Sequence, residues 1–558
     1  MAVKRSKAVS DNGLNVRLSG ILVHPTSFPS PYGIGDLGQG AYDFIDFLKK
    51  AGQHLWQVLP LGPTGYGNSP YQSYSSFAGQ PLMISPDELI KVGLLDKEDV
   101  SDIPNFENPL RVDFDKVSEY KEKLLKKAYE NFKAKTYLKV DEEEAKKEAE
   151  KAEKEAKEAE DKADDKAVDK NETAADKKEA KKPAKKEDLT KKFDKWVKQT
   201  EWVADYGLYM AVKGEFDGKC WQEWDKEIAF PTAETKAKWA KKLEDTVKYY
   251  EFRQFIFFEQ WMKLKEYAHE NDVLIVGDIP LYISEDSADA WAAPSMFELD
   301  SKGYPKNVAG VPPDYFSATG QRWGNPLYDW KAQKKDGFKW WIARVKAQLV
   351  MTDYLRIDHF RGFEAYWSVP ATEETAINGK WVKAPGDELF AAIAKEFGDD
   401  LPIIAEDLGI ITPEVEALRD KYNFPGMKVL QFAFDGTHEN AFLPHYYPYN
   451  CVCYTGTHDN DTTAGWYNKA NEASRDKVRR YMGIDGNNVS WDFIALAFKS
   501  VAKYAIVPLQ DVMRMDSDAR MNTPGTMEGN WIWRYSKDQL KDDDAKNLRS
   551  ITELYGRL

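Results

Sequence analysis

Cysteine is scarce in this chain, with Cys220, Cys451 and Cys453 the only three among 558 residues. An odd, sparse set builds no disulfide framework and suits a reducing compartment. Cys451 and Cys453 stand two apart in an apolar run, so a strand would turn both to the same side as small hydrophobes. Histidine is nearly as rare, at seven, and neither His-x3-His nor Cys-x2-Cys spacing occurs. No metal site is expected on that count. Long hydrophobic runs are missing too. Nothing approaches the ~18 uncharged apolar residues of a membrane span, and the opening MAVKRSKAVSDNG has basic residues without the apolar stretch of a secretory signal. Positive charge is in deficit, with 78 Lys and Arg against 92 Asp and Glu, a formal net charge of -14. That balance argues against nucleic acid or an anionic membrane as partner. A cytoplasmic protein with neither partner is expected.

Aromatic residues are plentiful at 13%, with 18 Trp and 29 Tyr. Sugar rings offer apolar C–H faces that stack on aromatic planes, so the composition suits a carbohydrate ligand, although the same rings serve equally well as core. One segment stands apart. Residues 141–186 are almost wholly Lys, Glu, Asp and Ala, with Val168 the only large apolar side chain. Such a stretch cannot bury enough apolar surface to offset its ordering entropy, and it reads as a solvated, partly helical or disordered surface insertion.

The remaining chain carries eight apolar or β-branched runs usable as strands, at 20–24, 54–59, 273–278, 353–358, 402–406, 428–432, 452–457 and 504–508. Helical patterns at 41–50, 252–270, 339–350, 386–397 and 414–421 fall between several of them. Strands alternating with helices predict a parallel sheet, and eight of them predict closure into an α/β fold, a (β/α)8 TIM barrel. The intervals are uneven, which predicts large insertions into one catalytic barrel spanning 1–558. These are a loop subdomain at 60–105, a mostly helical subdomain at 106–250 after strand two that holds the charged segment, and aromatic active-site loops at 280–340.

Three of the runs end in acids: YLRIDHF at 354–360, IIAED at 403–407 and VCYTGTHDND at 452–461. Acids are costly at the end of a hydrophobic strand unless something pairs with them or needs them. A parallel barrel brings the C-terminal ends of all its strands to one face. Arg356 and Asp358 share a face as residues i and i+2, so the guanidinium favours the ionised carboxylate that a nucleophile requires. A structural Arg–Asp pair would look the same. Glu406, at the edge of an apolar run and beside Asp407, is a candidate for the raised pKa of a general acid, or a strand-end acid with a hydrogen-bonding task. His458 and Asp459 can bond sugar hydroxyls.

Together RIDHFRG (356–362), AEDLG (405–409), THDNDTTAGW (457–466), GDIPLYIS (277–284), GVPPDYFSATGQRWGNPLYDW (310–330) and GPTGYGNSPYQ (62–72) resemble the amylomaltases, the 4-alpha-glucanotransferases or disproportionating enzymes of glycoside hydrolase family 77. The resemblance runs from about residue 20 to 534. It implies retaining transfer of α-1,4-glucan segments between maltooligosaccharides, without cofactor. By position Asp358 would be the nucleophile, Glu406 the acid/base and Asp459 the acid that holds the distorted sugar. Arg356 would orient Asp358, and His458 and Asp278 would bind the reacting sugar. In a retaining site the two working carboxyls are expected roughly 5–5.5 Å apart. Aromatic walls that favour an acceptor over water would come from Tyr315, Phe316, Trp323 and Asn325 on one loop, with Tyr66 and Ser69 on another. The 141–186 segment departs from the family pattern and is assigned no catalytic part. A monomer or weak homo-oligomer is expected. The alternatives are an α-amylase-like hydrolase on the same barrel and a glucan-binding scaffold on a decayed one. GDIPLYI lacks the Asn-His pair that amylase relatives carry there, and a scaffold would be expected to have lost one of the acids.

Overall fold

The computed structural model describes residues 16–137, 188–313, 317–435, 437 and 439–558. The charged segment 141–186 and the pair Tyr315 and Phe316 lie outside the described residues. Eight short strands run parallel around a barrel: β1 (Leu18–Leu22), β2 (Leu55–Gln57), β3 (Leu274–Ile279), β6 (Tyr354–Ile357), β9 (Ile403–Ala405), β10 (Gly426–Val429), β11 (Cys451–Tyr454) and β12 (Tyr504–Pro508). The order in the sheet is β10-β11-β12-β1-β2-β3-β6-β9. The seam between β9 and β10 is bridged where the Ala405 N–H donates to the Pro425 carbonyl at 3.0 Å. All eight expected runs are strands. The sixth differs: it starts earlier, at Gly426, and gives way at Leu430 to a 3-10 turn that continues to Phe434.

Alternation along the strands sorts side chains between two apolar layers. Leu22, Leu55, Val276, Ile404, Met427, Val452, Tyr454 and Ile506 fill the barrel interior. Ile21, Trp56, Ile275, Cys451, Cys453 and Val507 belong to a larger cluster formed with the surrounding helices. The two cysteines therefore do share a side, as packing groups, and burial pushes their thiols well up from the ordinary range. Helix α1 (Gln39–Lys50) links β1 to β2 and buries Phe44, Ile45 and Leu48 along one stripe. Between β2 and β3 lie α2 (Phe114–Lys133), α3 (Leu189–Gln199), α4 (Glu201–Glu215) and the long α5 (Glu244–Glu270). Phe252, Phe255 and Trp261 of α5 join the main core that the barrel strands share.

A second sheet was not anticipated. Strands β4 (Asn307–Val311), β5 (Gln321–Pro326), β7 (Ala365–Pro370) and β8 (Lys380–Lys383) form an antiparallel sheet in the order β5-β4-β7-β8. It grows from the connections after β3 and β6, so it stands at the C-terminal mouth of the barrel. The expected aromatic loops over 280–340 are thus partly strand. Among the described residues no helix is long and apolar enough to cross a membrane.

Candidate active site

The centre of the mouth is an ion-paired arginine. Asp278 on β3 and Arg356 on β6 are direct partners in the strand register, and inward alternation points both into the barrel. Nη1 of Arg356 donates to both Asp278 oxygens at 2.8 Å, and Nη2 donates to Asp358 Oδ1 at 3.0 Å. Burial opposes the guanidinium charge, but the flanking Asp278 and Asp358 carboxylates outweigh it and hold its pKa well above the ordinary range. Asp278 is buried and also accepts from the Tyr71 hydroxyl at 2.8 Å. Asp358 remains about a third exposed, its carboxylate facing the cleft.

Glu406 ends β9 beside this pair. Its Oε2 accepts the His359 N–H at 2.7 Å and its Oε1 accepts the Leu408 N–H at 2.8 Å. His359 directly follows Asp358, so one backbone step separates the two acids, and its φ of +52° is left-handed. Burial raises the pKa of Glu406 to about 8, the Asp358 charge adds to the rise, and Arg356 and the two amides oppose it. At neutral pH Glu406 therefore carries its proton. The expected contribution from the neighbouring Asp407 is not what the structure holds. Asp407 points away, ion-pairs with Arg419 and accepts the Met427 N–H at 2.7 Å. Gly426 makes room for it, since a Cβ there would lie 2.4 Å from the carboxylate.

The third acid follows β11. Asp459 Oδ1 accepts from the Asn522 amide at 2.6 Å, and Asp459 Oδ2 lies 3.4 Å from His458 Nε2. The His458 ring stacks on Tyr71 with centroids 5.0 Å apart, and Trp531 lies 6.0 Å from it. Arg520 donates to the Asp459 carbonyl at 2.5 Å, which fixes the turn.

The structure thus brings Asp358, Glu406, Asp459, Arg356, His458 and Asp278 to one mouth. The remaining expected residues are placed less uniformly. Trp323 meets His359 edge to face at 4.9 Å and so walls the cleft next to the acids. Asn325 is buried, and its amide donates to the Ile283 carbonyl at 2.7 Å, which ties β5 to the loop after β3. Ser69 uses its hydroxyl to accept the Tyr71 N–H at 3.3 Å, and so supports the tyrosine that touches Asp278. Tyr66 opens a 3-10 turn, Tyr66–Asn68, on the same loop. Tyr315 and Phe316 lie outside the described residues. Sequence reasoning missed Asn522, Arg520 and Trp531, which reach the site from a coil more than 60 residues beyond Asp459 and carry no local signal of it. Among the described residues no group of three or more His, Cys, Asp or Glu could hold a metal ion.

A carboxyl paired with an arginine, a second whose pKa is raised and a third acid at the mouth of a parallel (β/α)8 barrel are the equipment of an enzyme acting on glycosidic bonds. The comparisons make the assignment specific. The 4-alpha-glucanotransferase model of glycoside hydrolase family 77 matches residues 23–163 and 135–540, two pieces that overlap over 135–163. The chain is 49% identical over 547 residues to a 4-alpha-glucanotransferase of Synechocystis sp. (strain ATCC 27184 / PCC 6803 / Kazusa), covering 98% of this chain and 99% of that protein. It is 45% identical over 552 residues to the 4-alpha-glucanotransferase of Thermus thermophilus, covering 97% and 99%. Its fold is similar to that of the amylomaltase from Streptococcus agalactiae solved in complex with acarbose, with a TM-score of 0.85, 37% identity and coverage of 97% and 99%. The chain belongs to the 4-alpha-glucanotransferase family, glycoside hydrolase family 77.

Proposed function

We infer that the protein transfers α-1,4-glucan segments from a maltooligosaccharide donor to the 4-hydroxyl of an acceptor glucose or glucan, with retention through a covalent glycosyl-enzyme. The observation that carries the reading is the pairing of a protonated Glu406, with its pKa raised to about 8, and the Asp358 carboxylate held by Arg356 one backbone step away. Asp358 attacks the anomeric carbon while Glu406 gives its proton to the departing glycosidic oxygen. Glu406 then takes the proton of the incoming 4-hydroxyl, and the sugar leaves Asp358 for the acceptor. Asp459, braced by Asn522, holds a hydroxyl pair of the distorted sugar, and His458 donates beside it. Asp278 spends its lone pairs on Arg356 and Tyr71, so its part is to keep both in place.

Transfer over hydrolysis rests on the aromatic surroundings of the acids, with Trp323 against His359 on one side and Tyr71 and Trp531 around His458 on the other. Such walls displace water from the intermediate. The α-amylase-like alternative predicts a different product pattern. With maltotriose as sole substrate, transfer yields glucose and longer maltooligosaccharides at a constant number of reducing ends. Steadily rising reducing ends without longer products would make the protein a hydrolase. Three free cysteines, Cys220 exposed and the others buried, support a reducing, cytoplasmic setting.

A further inference from the structure

A second carbohydrate contact stands at the rim of the mouth. Strand β8 closes one edge of the antiparallel sheet and is largely exposed along its length. It carries Trp381, which is 39% exposed, unusual for a tryptophan set in regular structure. The ring is not loose. The Arg361 guanidinium lies 3.8 Å from its centroid, and Trp367 on the adjacent strand meets it at 68° with centroids 5.2 Å apart. Arg361 is itself anchored by donating to the Ile410 carbonyl at 2.5 Å. Gly379 lets the preceding loop lie flat on Trp367, because a Cβ there would fall 2.1 Å from the indole nitrogen.

The placement ties this ring to the chemistry. Arg361 follows Asp358 by three residues and Ile410 follows Glu406 by four, so the ring is fixed to the two loops that carry the working acids. An indole braced by a guanidinium and a neighbouring tryptophan while over a third of it stays exposed offers what the C–H face of a glucose unit requires. A glucan chain too long for the cleft must cross the rim. We propose that Trp381 is a stacking platform for α-1,4-linked glucan outside the catalytic cleft, which holds long chains and leaves short ones unaffected. The proposal rests on the glucan reading of the site. Lys380 and Lys383 on the same short strand work against the other obvious occupant, edge-to-edge pairing with a second copy.

The test uses the full chain with Asp358→Asn, so that binding is read without turnover. Adding Trp381→Ala is expected to weaken retardation in native gels containing long linear amylose by roughly three- to tenfold, the loss of one aromatic stacking contact. Maltotriose affinity, read by calorimetry, should stay within about twofold, the change left when no aromatic contact is lost. Trp381→Phe should keep most of the amylose retardation, which separates ring loss from misfolding. Unchanged amylose retardation in Trp381→Ala would overturn the proposal. So would equal proportional losses for amylose and maltotriose, or a Trp381-dependent dimer that binds amylose normally. Failure of the wild-type protein to disproportionate maltotriose would instead sink the transferase reading, with the gel assay still standing.

Discussion

The two ends of the barrel treat buried charge in opposite ways. At the bottom, Asp353 at the start of β6 is almost completely buried. It accepts the Ile275 N–H at 2.8 Å and faces His269 at 3.0 Å and Lys265 at 3.3 Å. Burial alone would raise its pKa, but His269, Lys265 and the amide outweigh it and hold the carboxyl below its ordinary range. At the starts of β1 and β12, Arg557 is fully buried, pairs with no carboxylate among the described residues, and spends its donors on the carbonyls of Leu18, Phe498, Ser500, Ala502 and Lys503. At the mouth the balance fails to close: Glu406 has two amide donors and a nearby negative charge, and keeps its proton. A buried acid whose partners outweigh its desolvation serves structure. Glu406, whose partners do not and which stands at the mouth beside Asp358, is available for chemistry.

The contrast can be broken at either end. The largest effect is expected from Asp358→Asn, which removes the nucleophile and should lower maltotriose turnover by on the order of 10^5-fold, with thermal stability nearly unchanged. Next, Glu406→Gln should lower turnover by roughly 10^2- to 10^4-fold. It should also stabilise the fold in a pH-dependent way. The folded pKa lies at about 8, above that of the unfolded chain, so unfolding releases a proton between the two values and wild-type stability falls as pH rises through that window. The variant lacks this penalty. Its advantage should be absent near pH 4 and grow toward pH 8, on the order of 1–3 kcal/mol in denaturant melts. Asp353→Asn should do the reverse, costing about 3 kcal/mol of stability at neutral pH with turnover per folded molecule preserved. Its cost should shrink as pH falls, because a depressed carboxyl contributes stability only above its unfolded pKa. The smallest effect is expected from deleting 141–186, whose composition offers no core; transferase activity should stay close to that of the full chain, and loss of activity in a still-folded deletion would contradict this.

Much of the mouth was legible in the sequence because it is built from strand ends. Period-two alternation predicts that Arg356 and Asp358 share a face, and the salt bridge between them follows. The same alternation separates Glu406 from Asp407, yet their adjacency suggested one electrostatic unit; Arg419, twelve residues on, takes Asp407 out of the site. The strands β7 and β8 escaped notice for different reasons: β8 is four residues long, exposed and flanked by lysines, and β7, though apolar and mostly buried, pairs antiparallel outside the strand–helix alternation that marks the barrel. Asn522 and Trp531 were invisible for another reason. They act through tertiary placement after β12, and nothing in the local residues ARMNTPG or GNWIW marks a partner near 459.

The most direct test of the central claim is to trap the intermediate. Glu406→Gln, supplied with a maltosyl donor whose leaving group needs no acid, should accumulate a glycosyl ester that peptide mass spectrometry places on Asp358. Release of the sugar by added small nucleophiles should restore the free enzyme. A label on any other residue, or full turnover with inverted anomeric configuration and no label, would contradict the pairing of a protonated Glu406 with a nucleophilic Asp358.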